Sequence, residues 1–208
     1  MPQDSSPLST KPSTAVTHLL YLHGFRSSPQ STKARQMAAL MAERYPSVVW
    51  LCPQLPPSPQ AAAALIAQGT ANWPAQTMAV MGSSLGGFYA TWAAAQRGCK
   101  AVLINPAVFP ARDLAKYIGE QTAWHNPDER FYFAPEFVDE LRALESPAFQ
   151  PGPDQLLALI AKGDEVLDWR EMVARYPHAQ HELIEDSDHA LSDFDTHLPR
   201  VLAFLDLA

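Results

Sequence analysis

The sequence predicts an α/β fold in which a mostly parallel, doubly wound sheet has helices on both faces. Short apolar runs alternate along the chain with longer segments that have helical periodicity, which is the pattern of βαβ units. The runs are apolar with few interruptions, as in parallel strands that are buried on both sides. A chain of 208 residues is also long enough to bury one large core.

Six apolar runs define the predicted strands, at residues 16–22, 47–53, 77–82, 100–107, 156–164 and 180–186. Helical patterns follow them at residues 30–44, 59–68, 84–97 and about 192–207. The rhythm breaks from about Phe109 to Pro153, and we interpret this segment, with its prolines, aromatic cluster and two short helical patterns, as a cap insertion at one edge of the sheet. The polar residues 1–14 are expected to form a flexible tail, which leaves residues 15–208 as a single domain.

Composition and charge argue against several classes of protein. The formal net charge is −7 and the 15 Lys and Arg residues form no basic run, so no nucleic-acid partner is predicted. No apolar stretch approaches the roughly 20 residues of a membrane-spanning helix. Cys52 and Cys99 lack metal-site spacing and are expected to be reduced thiols. The sequence carries no signal-peptide pattern, so a cytoplasmic location is expected, and the oligomeric state is left open.

Polar side chains follow the predicted strands where a ligand site would form. Ligands of a parallel sheet bind beyond the carboxyl ends of its strands. The residues at or just after these ends include His23, Ser84, Asn105, Asp164 and His189. Hydroxyl, carboxylate and imidazole groups are therefore expected at one edge of the sheet.

The segment Gly82-Ser83-Ser84-Leu85-Gly86 matches the motif G-x-S-x-G between a predicted strand and a predicted helix. In a nucleophile elbow, the serine is exposed on a tight turn and the two glycines leave room for the neighbouring strand and helix. This register selects Ser84 as the nucleophile and makes Ser83 a small spacer. A packing turn with a serine N-cap is the alternative interpretation of these five residues alone.

A serine nucleophile needs a base, and the base needs a carboxylate to orient it. His189 is the candidate base because it follows the last strand, which fits the chain order serine, acid, histidine of α/β-hydrolases. Five of the other histidines, at positions 18, 125, 178, 181 and 197, are expected to be structural or on the surface, and His23 precedes the serine, which does not fit this order. Asp164, directly after the fifth strand, is the preferred acid and Asp168 is its main rival. Asp186 and Asp188 are more typical of turn residues.

The backbone N–H groups of Phe25 and Leu85 are the candidate oxyanion-hole donors. Leu85 follows the nucleophile and Phe25 lies in the loop after the first strand, and these are the two positions that provide such donors beside an elbow. Gly24 lets the backbone of this loop approach closely. A plain strand-ending turn is the alternative interpretation of His23-Gly24.

Several stretches of the chain resemble the YqiA-type family of small bacterial esterases, within the α/β-hydrolase superfamily. These stretches are LLYLHGFRSSPQSTKA, PQLPPSP, GSSLGGFYATW, NPAV and GDEVLDWR, and the resemblance extends from about Leu19 to Leu205. It implies a parallel-sheet hydrolase with a short cap, and hydrolysis of carboxylic esters, including thioesters. The family's catalytic positions fall on Ser84, Asp164 and His189. The histidine lies in DSDHA, where the family usually has GGNHA.

Three further residues are candidates for substrate binding: His23, Arg26 and Asn105. His23 lies at the edge of the sheet where the site is expected. Arg26 would meet an anionic group of the substrate, and a solvated loop arginine is the alternative. Asn105 would organise the site by hydrogen bonds, or would simply precede the turn set by Pro106.

These residues together predict a serine esterase that forms an acyl-enzyme. Its expected partner is a small-molecule acyl ester or thioester, and triad chemistry requires no metal or organic cofactor. A thioesterase or acyltransferase with the same triad remains open, because only the leaving group or the acceptor differs. A non-catalytic binding protein with a hydrolase fold is disfavoured, because such proteins usually lack a member of the triad.

Overall fold

A parallel sheet of six strands forms the centre of the computed structural model, which describes residues 15–207. The flexible tail predicted at residues 1–14 lies outside the described residues. The strands are β1 (His18–Leu22), β2 (Val49–Leu51), β3 (Met78–Ser83), β4 (Lys100–Ile104), β5 (Gly119–Thr122), β6 (Arg130–Phe133), β7 (Leu156–Ala161) and β8 (Gln180–Ile184). The order of the parallel sheet is β2-β1-β3-β4-β7-β8, and β5 pairs with β6 in a separate antiparallel hairpin.

Helices cover both faces of the sheet. Leu20 of β1 packs in a cluster with Ile66 of α2 and Phe88 of α3, whereas Leu19, on the opposite face, packs in a second cluster with Met37 of α1. This arrangement confirms the predicted doubly wound α/β fold. The helices are α1 (Thr32–Arg44), α2 (Pro59–Gly69), α3 (Leu85–Arg97), α4 (Pro110–Leu114), α5 (Glu136–Leu144), α6 (Trp169–Arg175) and α7 (Phe194–Phe204).

The chain between β4 and β7, which we call the insertion, contains α4, a 3-10 turn at Ala115–Tyr117, the β5–β6 hairpin and α5. The two short helical patterns correspond to α4 and α5, whereas the hairpin has no predicted counterpart in the sequence. Phe131 and Phe133 of β6 pack edge-to-face on Phe25, with ring centroids 5.8 and 5.4 Å away. The insertion therefore covers the loop after β1, which carries a candidate oxyanion donor.

The two thiols are poor nucleophiles. Cys52 and Cys99 are both free. Burial raises the pKa of Cys52 to about 12 and that of Cys99 to about 11, so both stay protonated at neutral pH. Within residues 15–207, no group of three or more His, Cys, Asp or Glu side chains is arranged to hold a metal ion. No helix in the same range is both long and apolar enough to cross a bilayer.

Candidate active site

The structure brings Ser84, His189 and Asp164 into one hydrogen-bonded chain. The Ser84 hydroxyl donates to Nε2 of His189 at 3.0 Å, and Nδ1 of His189 lies 2.7 Å from Oδ2 of Asp164. The three residues follow β3, β8 and β7 respectively, so the carboxyl ends of the strands place them together. The Asp164 side chain has no exposed surface, whereas 18% of the His189 side chain is exposed. The imidazole therefore links a buried carboxylate to a hydroxyl at the site.

A strained turn presents the Ser84 side chain. Its backbone has φ 56° and ψ −122°, in a region that residues other than glycine rarely occupy. A Cβ added to Gly82 would lie 2.1 Å from the carbonyl oxygen of Gly86, and one added to Gly86 would lie 2.0 Å from that of Leu22. Both flanking glycines are therefore required by the close approach of β1 and α3. Ser83 ends β3 and is buried, so Ser84 is the serine that reaches His189.

The two rival aspartates make different contacts. Oδ1 of Asp164 accepts the N–H groups of Val166 and Leu167, each at 2.8 Å, which leaves Oδ2 for His189. Asp168 instead caps the N-terminus of α6, and its Oδ1 accepts the N–H of Arg170 at 2.9 Å. The structure thus places Asp164, and not Asp168, against the imidazole.

Asn105 is buried behind His189 and does not face the site. Its Nδ2 donates to the carbonyl oxygens of Asp188 and His189, both at 3.0 Å, and its Oδ1 accepts the N–H of Ala161 at 2.8 Å. The residue has no exposed surface. These contacts support the expectation that Asn105 organises the site by hydrogen bonds, because its amide holds the backbone that carries His189.

His23 joins the loops that follow β1 and β2. The N–H of Leu55 donates to its Nε2 at 3.0 Å, so that nitrogen carries no proton, and its Nδ1 lies 3.0 Å from the carbonyl oxygen of Gly24. Burial lowers the pKa of His23, which favours the neutral ring that this pattern requires. The residue is 3% exposed and borders a second cavity, and its two hydrogen bonds hold the loop that contains Phe25.

The two candidate oxyanion donors border the same cavity as the triad serine and histidine. This catalytic cavity has a volume of about 190 Å³, and Phe25, Ser84, Leu85 and His189 are among its walls. Among the hydrogen bonds within residues 15–207, none uses the backbone N–H of Phe25 or of Leu85. Both groups are therefore available to a substrate oxygen. Apolar side chains form much of the remaining wall: Pro110, Leu114, Tyr117, Val166 and Leu167.

A second cavity, of about 170 Å³, adjoins the catalytic cavity. Phe25, Arg26 and Leu85 border both cavities, so these residues form the wall between them. Leu55, from the loop after β2, and Tyr89 of α3 also line the second cavity.

Two residues at the site, Glu165 and Asp113, have no signal in the sequence. Oε2 of Glu165 accepts the backbone N–H of His189 at 3.0 Å, and Asp113 of α4 borders the catalytic cavity. The position of Glu165 directly after the acid gives no sign of this contact. The five residues of α4 are too few to show which of its side chains face the site.

The six-stranded sheet, with an elbow after β3 and an insertion before β7, has the α/β-hydrolase fold. The chain belongs to a family described as an uncharacterised protein family, UPF0227, whose model matches residues 18–206. This is the YqiA-like family, so the resemblance found in the sequence motifs is confirmed.

Solved structures of low sequence identity share this fold. A protein from Agrobacterium vitis S4, provisionally assigned as a hydrolase, has a TM-score of 0.69 and 19% identity, covering 92% of this chain and 90% of that one. Alpha/beta hydrolase domain-containing protein 10 from mouse has a TM-score of 0.65 and 15% identity, with 95% and 92% covered. One of the metagenome-derived lipolytic enzymes LipS and LipT has a TM-score of 0.65 and 20% identity, with 93% and 95% covered.

Proposed function

We propose that this protein is a serine hydrolase that cleaves carboxylic esters by way of an acyl-enzyme. The observation that supports this proposal most strongly is the chain of hydrogen bonds from Asp164 through His189 to Ser84, with lengths of 2.7 and 3.0 Å. A hydroxyl in hydrogen-bond contact with an imidazole, which is itself oriented by a carboxylate, is the arrangement that makes serine nucleophilic.

In the first half of the reaction, Oγ of Ser84 attacks the carbonyl carbon while Nε2 of His189 takes the hydroxyl proton. The carbonyl oxygen gains negative charge, which the N–H groups of Phe25 and Leu85 stabilise. When the tetrahedral intermediate collapses, the bond to the leaving oxygen breaks and His189 gives that oxygen its proton. Asp164 stabilises the imidazolium and keeps a proton on Nδ1 throughout.

In the second half, His189 removes a proton from a water molecule that attacks the acyl-enzyme. The new tetrahedral intermediate uses the same two N–H donors, and its collapse returns the proton to Oγ of Ser84 and releases the acid. A thioester passes through the same steps, because only the leaving atom differs. The apolar walls of the catalytic cavity favour substrates with an apolar part beside the carbonyl.

Hydrolysis of 4-nitrophenyl acetate by matched serine variants tests this proposal. Ser84→Ala removes the nucleophile and should lower kcat at least about 10³-fold. Ser83→Ala is the control, since the Ser83 side chain is buried and makes no hydrogen bond within residues 15–207, and its kcat should stay within about threefold of wild type. Equal activity of Ser84→Ala and wild type would contradict the proposal.

A further inference from the structure

Positive charge exceeds negative charge in the walls of the catalytic cavity, although the chain as a whole carries −7. Apart from the triad histidine, the charged residues that border the cavity are Arg26, Asp113 and Lys116. Oδ1 of Asp113 accepts the Nε–H of Arg112 at 2.8 Å, but Arg112 also donates to Glu171, and Oδ2 of Asp113 is buried without a hydrogen-bond partner in the described part of the chain. Arg26 and Lys116 are therefore the two cations that border this cavity, against the single carboxylate of Asp113.

The Arg26 side chain is fixed between the loop that contains Phe25 and the insertion. Its Nε donates to the carbonyl oxygen of Thr122 at 2.6 Å, and its guanidinium carbon lies 4.1 Å from the ring centroid of Trp124. The N–H of Trp124 donates in turn to the carbonyl oxygen of Arg26 at 2.8 Å. The backbone of Arg26 has φ 61°, a conformation that these contacts hold in place. The guanidinium is therefore oriented before any substrate binds.

The outer nitrogens of this guanidinium have no protein partner in the described part of the chain. Within residues 15–207, no carboxylate lies within ion-pair distance of Arg26, and its only side-chain hydrogen bond is the one from Nε. By contrast, Arg112 donates from both outer nitrogens to the Glu171 carboxylate at 2.8 and 2.7 Å. Arg26 thus holds a half-buried positive charge, in the wall shared by both cavities, with its fork of N–H groups unoccupied.

We propose that Arg26 is a specificity-determining residue, and that the preferred substrates are esters that carry a carboxylate or phosphate group near the scissile bond. A planar guanidinium offers parallel N–H donors that match the oxygens of these groups. Arg26 follows Phe25, a proposed oxyanion donor, so an anion bound here lies close to the reacting carbonyl. This inference rests on the proposed esterase function and adds the chemical class of its substrate.

The experiment compares kcat/KM for two pairs of esters, each with one anionic and one neutral member. On the acyl side the pair is 4-nitrophenyl hydrogen adipate and 4-nitrophenyl hexanoate. On the alcohol side it is 4-acetoxybenzoate and 4-acetoxybenzamide. The measured quantity is the ratio of the anionic to the neutral value, because a loss of active enzyme cancels in that ratio. The pair whose ratio responds identifies the arm of the substrate that carries the anion.

Arg26→Gln should lower this ratio about tenfold for at least one pair, the size expected for a hydrogen bond to a charged group. Arg26→Lys should lower the ratio less than Arg26→Gln does, because lysine keeps the positive charge. Some loss is still expected, because lysine cannot make the hydrogen bond of Nε to Thr122. Arg130→Gln is the control for net charge, because Arg130 is 71% exposed in β6 and borders neither cavity. Its ratio should stay within about twofold of wild type.

Three results would overturn the inference. An unchanged ratio for both pairs in Arg26→Gln would show that Arg26 does not select anionic over neutral esters. Equal loss for Arg26→Gln and Arg130→Gln would assign the effect to the overall charge of the protein. If the wild type hydrolysed neither member of either pair, the proposed function itself would fail, and this inference would fail with it.

Discussion

The side chain of Asn105 holds the backbone of His189, with 3.0 Å between Nδ2 and the His189 carbonyl oxygen. Asn105 follows β4 with φ 41°, a conformation that asparagine tolerates better than most residues. The same Nδ2 also donates to Asp188, and its Oδ1 is bonded to the strand β7 backbone at Ala161. One buried amide therefore connects the ends of two central strands to the loop that carries the proposed base.

Asn105→Asp should lower kcat for 4-nitrophenyl acetate on the order of 10²-fold, because it removes both donors to the histidine loop while an oxygen can still accept from Ala161. Thermal unfolding measured on the same samples gives the fraction of folded protein. Wild-type kcat in Asn105→Asp would show that these hydrogen bonds do not position His189.

The choice of acid predicts a large difference between two aspartate variants. Asp164→Asn removes the carboxylate that contacts Nδ1 of His189, and should lower kcat by about 10⁴-fold. Asp168→Asn changes only the N-cap of α6, so kcat should stay within about threefold and the stability should change by about 1 kcal/mol or less. Steady-state kinetics with a 4-nitrophenyl ester decides between them, and greater damage in Asp168→Asn would reverse the assignment.

The nucleophile elbow predicts that Gly86 tolerates no side chain. Gly86→Ala would place a Cβ 2.0 Å from the backbone oxygen of Leu22, so the free energy of unfolding should fall by about 3 kcal/mol or more. Gly152→Ala is the matched control, because its Cβ would meet nothing within 4 Å. Urea denaturation and soluble yield measure both variants. Equal stability of the two would contradict the steric account of the elbow.

The buried His23 predicts a pH-dependent contribution to stability. Burial lowers its pKa in the folded protein, whereas a histidine of the unfolded chain titrates near 6.5. Above that pH, neutral His23 therefore makes its full contribution to the free energy of unfolding. This contribution decreases as the pH falls below 6.5, because the unfolded state takes up the proton first. Compared with wild type, His23→Gln should be less stable at pH ~7.5, and the gap should narrow by up to about 1 kcal/mol at pH ~5.5.

Urea denaturation at the two pH values measures this gap. His178→Gln, at an exposed histidine, is measured beside it as the control for replacing a histidine by glutamine. A gap between His23→Gln and wild type that stays constant or widens on acidification would contradict the role given to the neutral ring.

The central sheet and the triad could be predicted because each leaves a local signal in the sequence. The strands are apolar runs, and Gly82 and Gly86 fix the register of the elbow. Once the sheet is parallel, the carboxyl ends of its strands meet, so Asp164 and His189 are brought near Ser84 although 80 and 105 residues separate them from it in the chain. The family resemblance points to the same three residues.

The β5–β6 hairpin of the insertion and the supporting contacts could not be predicted, because they depend on distant packing. The β5 sequence GEQT has no apolar alternation, and its partner β6 is placed by the contacts of Phe131 and Phe133 with Phe25. The burial of Asn105 depends on where the loop of His189 passes behind it. Neither relation has a sequence period or a local motif.

Labelling with a fluorophosphonate probe tests the central claim most directly, because the probe forms a covalent bond only with an activated serine. Intact mass and peptide mapping should show one adduct on wild type, in the peptide that contains Ser84, and the same adduct on Ser83→Ala. Ser84→Ala should show none, and His189→Ala should be labelled at least about 10²-fold more slowly. Undiminished labelling of Ser84→Ala would contradict the assignment of Ser84 as the nucleophile.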